Sequence, residues 1–162
     1  MANKSIKLTP QQALLKMANY CAYQERCHSE TKNKLAELGI YYENADQIIA
    51  ELITQNYLNE ERFAKAYAGG KFRIKKWGRN KIKQELKQKQ VSDYCILQGL
   101  KEIDADDYLV TLKKEAKEKY EKVKDKNVLI KNNKTAQYLM SRGFEADLVW
   151  DVLKEFKKIK KS

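Results

Sequence analysis

The sequence predicts an all-α protein made of three tandem three-helix repeats in an elongated, curved array. Three observations lead there. One proline and six glycines stand against many Lys, Glu, Gln, Leu and Ala residues, and straight-chain side chains lose little rotamer freedom in a helix. Apolar residues recur at three- and four-residue spacing, the period of a helix face. Finally, one punctuation appears three times: LAELGI from Leu35, LKQKQV from Leu86 and LMSRGF from Leu139, each followed by a helical pattern ending at Leu52, Leu100 and Leu153. The intervals Leu86 to Leu100 and Leu139 to Leu153 are equal, whereas Leu35 to Leu52 is longer, which predicts a three-residue insertion around Tyr41 to Asn44.

The first repeat is expected over 9–57. Thr9 can cap a helix, with Pro10 at its first position and Gln12 completing a capping box. Leu14, Met17, Ala18 and Cys21 then share a face. A second helix should run from about Ser29 to Gly39, a glycine suited to a left-handed C-cap, and a third from Ala45 to Asn56. The second repeat, 58–104, opens on the cap candidate Asn59 and continues through Phe63, Ala66, Tyr67, Gly70 and Ile74 on one stripe, closed by Trp77 and Gly78. Helices follow from Arg79 to Lys89, with Ile82 and Leu86 inward, and from Ser92 to Ile103. The third repeat, 105–158, has a long helix from Asp106 to Lys124 with Leu109, Leu112, Ala116 and Tyr120 as its seam. Residues 125–131 read as a turn, followed by helices over Asn133–Arg142 and Glu145–Lys157 and a lysine-rich tail, KKIKKS, expected to fray. Narrow seams give each repeat a small core, which packing on a neighbour should supplement.

The net charge of +11 is concentrated. Residues 71–90 hold nine Lys or Arg and one acid, Glu85, whereas residues 1–70 balance eight against eight. Clustered positive charge points to a polyanion, most often nucleic acid. Lys71, Arg73, Lys75 and Lys76 crowd the end of one helix; Arg79, Lys81, Lys83 and Lys87 lie on the next, where Arg79, Lys83 and Lys87 flank the Ile82/Leu86 seam. Such side chains neutralise phosphates without reading base sequence. Trp77, amid this patch, is expected to pack between helices.

Catalytic constellations are missing from the sequence. His28 follows Cys27 directly, whereas Cys/His nucleophile pairs converge from separate parts of a fold, and a solvated loop position is expected for it. Gly70-Lys71 lacks the first glycine and the hydroxyl of a phosphate-binding loop. Glu60-Glu61 and Asp106-Asp107 stand where acids favour a helix start. Cys21, Cys27 and Cys95 show no CxxC spacing, so packed, reduced thiols are expected and no metal site. With no apolar run long enough for a signal peptide or a membrane span, a cytosolic, non-enzymatic monomer without cofactors is expected.

The run Tyr57 to Val91, YLNEERFAKAYAGGKFRIKKWGRNKIKQELKQKQV, resembles the central motif of the RecX family, bacterial regulators of the RecA recombinase. The resemblance rests on Tyr57-Leu58, Asn59-Glu60, Arg62-Phe63-Ala64, the basic stretch Lys71 to Lys76, Gly78, Lys81-Ile82, Glu85-Leu86 and Lys89-Gln90-Val91. Asn59 stands where the family has an acid. Gln90 replaces the usual glycine, so that helix end is expected to be built differently from those at Gly39 and Gly143. The resemblance, weaker over about 10–156, implies three tandem three-helix units and a non-enzymatic modulator lodged in the groove of a RecA filament on single-stranded DNA. Such a modulator suppresses ATP hydrolysis, strand exchange and co-protease activity. The residues by themselves also fit a direct, sequence-independent DNA binder with no RecA role.

Overall fold

A computed structural model describes residues 7–159. Among them are nine α-helices and no strand: α1 (Pro10–Tyr23), α2 (His28–Glu37), α3 (Tyr42–Thr54), α4 (Glu60–Gly70), α5 (Arg79–Gln88), α6 (Asp93–Leu100), α7 (Ala105–Lys122), α8 (Val128–Ser141) and α9 (Ala146–Ile159). The expected fraying of KKIKKS concerns side chains and terminal residues outside those described. The surface of 10995 Å² exceeds the about 8,400 Å² of a compact monomer of this mass, as an extended array should.

Local chemistry sets the helix starts. Thr9 accepts a hydrogen bond from the Gln12 amide while the Gln12 side chain accepts one from the Thr9 amide, a full capping box. Asn59, Ser92 and Asp104 accept from the amides of Arg62, Cys95 and Asp107. Asn127 also caps, accepting from the Leu129 and Ile130 amides. Therefore α8 begins at Val128, and the turn expected over 125–131 is shorter than the sequence suggested.

The recurrent punctuation is a recurrent C-terminus. Gly39, Gln90 and Gly143 have φ of 80°, 62° and 99°. The next amide, from Ile40, Val91 or Phe144, donates to the carbonyl of Leu35, Leu86 or Leu139 at 2.9, 3.1 and 3.1 Å. This is the Schellman closure of α2, α5 and α8. The helix end at Gln90 is thus built like the other two, correcting the expectation. The insertion at Tyr41–Asn44 is also absent. Helices α3, α6 and α9 each start at the second position after Ile40, Val91 and Phe144. Counted from Leu35, the counterpart of Leu100 and Leu153 is therefore Ile49, and Leu52 lies one turn further along a longer α3.

Two seams shift from their expected positions. On α7 the buried residues are Tyr108, Leu112, Ala116 and Tyr120, a strict i+4 series; Leu109, one position off it, is part-exposed. On α4 the buried stripe is Phe63, Ala64 and Ala68, continued by Phe72, while Ala66 and Ile74 face solvent. The cause is a π-helical turn over Lys71–Lys75, whose altered pitch rotates Ile74 away from the core.

Packing divides the array unequally. Helices α1–α3 enclose one core around Met17, Leu35, Leu52 and Leu58. Helices α4–α9 share a second, continuous core that includes Phe63, Phe72, Ile82, Leu86, Tyr108, Leu112, Leu139, Phe144 and Leu153. Gly99 lets α6 approach the Ala64 backbone of α4.

Candidate nucleic-acid interface

Helix α4 runs into the π turn, and the turn closes on Lys76. Its φ is 58°, and the Trp77 amide reaches back to the Lys71 carbonyl at 3.3 Å. Phe72 anchors the turn from inside, 5.7 Å from the Tyr108 ring. With Phe72 buried, Arg73, Ile74, Lys75 and Lys76 are all presented to solvent. A segment of three charges on a wide turn thus protrudes between α4 and α5.

The eight basic candidates fall into three groups. Arg73, Lys75 and Lys76 are exposed on the turn, and Lys83 and Lys87 are exposed on α5, where they share an open polar face with Asn80, Gln84 and Gln88. Lys71 and Lys81 are half-buried, with their ammonium groups 5.0 and 4.6 Å from the Trp77 ring. They hold Trp77 through cation–π contacts, in keeping with its expected packing role. Arg79 is engaged elsewhere: its guanidinium pairs with Glu145 at 2.8 Å and lies 3.9 Å over the Tyr108 ring. The Arg79 amide donates to the Tyr108 hydroxyl at 3.0 Å, and that hydroxyl donates to Glu145. Burial first, and the bond to Glu145 second, push the Tyr108 pKa well above its usual value. Arg79 therefore ties α5 to α7 and α9.

The patch is clamped from the third repeat. Gly78, at the start of α5, has no capping side chain; its amide donates to the Arg142 carbonyl at 2.8 Å, and the Asn80 amide to the Gly143 carbonyl at 2.9 Å. The unpaired amides of one helix thus satisfy the unpaired carbonyls of another. Gly78 and Gly143 touch backbone to backbone, and a Cβ on either would overlap the opposite side of the contact. The Arg142 guanidinium also donates to the Lys75 carbonyl on the π turn.

An equivalent junction joins the first two repeats. By the register of Leu35, Leu86 and Leu139, Cys27 corresponds to Gly78 and Lys89 to Arg142. Here the Ser29 hydroxyl donates to the Lys89 carbonyl at 2.6 Å, and the Lys89 ammonium pairs with Glu30 at 3.3 Å. Side chains bridge what backbones join in the other junction. The helices α8, α5 and α2 therefore meet head to tail. His28 heads α2 and does not lie in a loop, and its amide donates to Glu60 at the start of α4 at 3.4 Å. Arg62 pairs with Glu25 at 2.7 Å and donates to the Asn56 and Tyr57 carbonyls at the end of α3. Burial raises the Cys21 and Cys27 thiols, and no metal-ligand cluster occurs among the described residues. No helix among them is long and apolar enough to cross a membrane.

The motif residues turn out to be architectural. Phe63, Ala64, Ile82 and Leu86 are buried, Gly78 makes the backbone junction, Arg62 holds the first repeat, and Glu85 is half-buried near Tyr67, whose pKa burial pushes up to about 12. Sequence reasoning missed Tyr108, Glu145 and Arg142, which hold the patch from the third repeat. Only the glycine of RGF, shared with LGI, hinted at that contact.

The profile for the second three-helix domain of RecX matches residues 59–100, and that for its third three-helix domain matches residues 106–153. The regulatory protein RecX of Clostridium perfringens strain 13 is 35% identical over 124 residues, 75% of this chain and 58% of that protein. The regulatory protein RecX of Clostridioides difficile strain 630 is 27% identical over 139 residues, 85% of this chain and 65% of that protein. This chain thus spans less than two thirds of either relative. The crystal structure of RecX from Lactobacillus salivarius shares the fold, with a TM-score of 0.83 at 23% identity over 91% of this chain and 96% of that one.

Proposed function

Because this chain belongs to the RecX family of regulatory proteins, we propose that it binds the RecA recombinase and its filaments on single-stranded DNA. On this reading it lodges in the helical groove and mostly inhibits ATP hydrolysis, strand exchange and co-protease activity. It does so in the cytosol, without chemistry of its own and as a monomer. The three repeats, taken as 9–57, 58–104 and 105–158, span adjacent protomers, so that weak contacts at each reinforce one another.

The observation that carries this reading is the protruding π turn with Arg73, Lys75 and Lys76, continued by Lys83 and Lys87 along α5. Five exposed cations in the central repeat, three on the turn and two on the helix that follows it, suit contacts to phosphates. Lys71 and Lys81 support the site through Trp77, and Arg79 positions it.

The open polar face of α5 also suits a bare sugar–phosphate backbone, which keeps the direct DNA binder in view. The test is the DNA-dependent ATPase of RecA with substoichiometric amounts of this protein. Inhibition is expected, together with an affinity raised by RecA and nucleotide above that for DNA alone. Equal affinity with and without RecA would leave only the direct binder.

A further inference from the structure

Val128, Leu129 and Ile130 are three consecutive aliphatic residues on the first turn of α8, and they are 47%, 64% and 40% exposed. Such a run on a surface is either a liability or an interface. The corner where α7 meets α8 is strongly basic: residues 119–134 hold six lysines and two acids. Lys119 and Lys131 lie 4.7 and 4.3 Å from the Tyr138 and Tyr120 rings, and Asp125 accepts from the Asn127 amide at 2.9 Å. Lys122, Lys124, Lys126 and Lys134 are exposed around the aliphatic run.

We propose that this corner is a protein-docking surface for an acidic segment with apolar anchors, distinct from the phosphate-facing π turn. The reading rests on the RecA partnership proposed above, and divides its labour: the central repeat meets the DNA and the α7–α8 corner meets the protein. The chemistry selects this occupant. Aliphatic side chains offer no π face on which the bases of a single strand could stack, so the run is not a stacking platform for it. The aliphatic run is confined to one turn of a helix whose other face is buried on α7 and α9, whereas a membrane-surface helix presents a long apolar face. Aliphatic anchors ringed by lysines match an amphipathic segment with acids around its apolar positions.

The test sets two double variants of the corner, Leu129→Ser with Ile130→Ser and Lys124→Glu with Lys126→Glu, against one of the turn, Arg73→Glu with Lys76→Glu. All are exposed positions, and circular dichroism checks that each variant stays folded. Affinity is measured for DNA-free RecA, for bare single-stranded DNA, and for phosphatidylglycerol vesicles. The corner variants are expected to lose about tenfold or more on RecA, the size of a typical interface anchor, while keeping their DNA affinity. The turn variant should show the reverse. Wild-type binding to RecA that the corner variants retain in full would overturn the inference and leave the function standing. Corner variants that lose DNA or vesicle binding instead would reassign the corner to that ligand and overturn it. A wild-type protein that binds no RecA would remove both.

Discussion

Gln90 occupies a left-handed backbone conformation that its two equivalents fill with glycine. A Cβ there crowds the following carbonyl at a cost of about 1 kcal/mol or more, part of which glycine would return as unfolded-chain entropy. Gln90→Gly should therefore stabilise the protein by about 0.5–1 kcal/mol, read as a higher urea midpoint at unchanged slope. Tyr108 carries the opposite kind of prediction. Tyr108→Phe leaves Glu145 and the Arg79 amide each short of a partner in a half-buried site, and should cost about 1–3 kcal/mol. The phenols of Tyr108, buried, and Tyr67, half-buried, also set an alkaline limit. Their folded pKa values lie above the usual 10.0, Tyr67 at about 12, so the folded state holds these protons more tightly than the unfolded chain. That contribution is complete below about pH 10 and is lost as pH climbs through the folded values. The urea midpoint should fall between about pH 10 and 12, less steeply in Tyr67→Phe.

At the scale of elements, the decisive feature is the Gly78–Gly143 contact. Gly78→Ala keeps an ordinary φ of −77° at that position but drives a methyl into the Gly143 carbonyl. The junction must open, breaking two backbone hydrogen bonds and releasing the Arg142 hold on the π turn. A loss of about 3 kcal/mol or more is expected, with faster amide exchange at Lys76 and Trp77. This contact also marks the limit of what sequence could tell. Caps at Thr9, Asn59 and Ser92 and the closures after Leu35 and Leu139 were legible because they depend on residues within one turn. The exposed Ile74 was not, because the Gly69-Gly70 pair before the π turn reads as part of an ordinary helix, and the change of helical phase after it has no signature of its own. Nor was the capture of Arg79 by Glu145: its partner lies in another repeat, and a basic residue on an amphipathic helix reads the same whether it faces a phosphate or a carboxylate. Val128 to Ile130 were hidden by Asp125 and Asn127, which look like one turn, whereas Asn127 caps a helix that starts at Val128.

For the whole molecule, the two cores imply two folding units. Helices α4–α9 share one core, while α1–α3 keep their own and meet the rest through the buried Cys27 at the head of α2 and through ionic and side-chain bridges. A fragment spanning 59–159 should unfold cooperatively and retain most of the affinity for single-stranded DNA, whereas one spanning 59–104 should lack a cooperative transition. Calorimetry on both decides this. In the full chain, Lys76→Glu with Lys83→Glu should weaken filament binding and flatten its dependence on salt by about two ions' worth, with helical content intact. An unchanged slope would return those lysines to ordinary solvent-facing roles.

The head-to-tail meeting of α8, α5 and α2 also gives the array a polarity. Peptide dipoles in the three helices follow one sense from Asn127 to Gly39 along the chain of contacts, so its two ends are chemically unlike, amides at one and carbonyls at the other. A nucleic-acid strand has a direction too, and so does any filament built along it. A directional ligand laid against a directional array has two possible orientations of different energy, and the protein would settle on its partner facing one way.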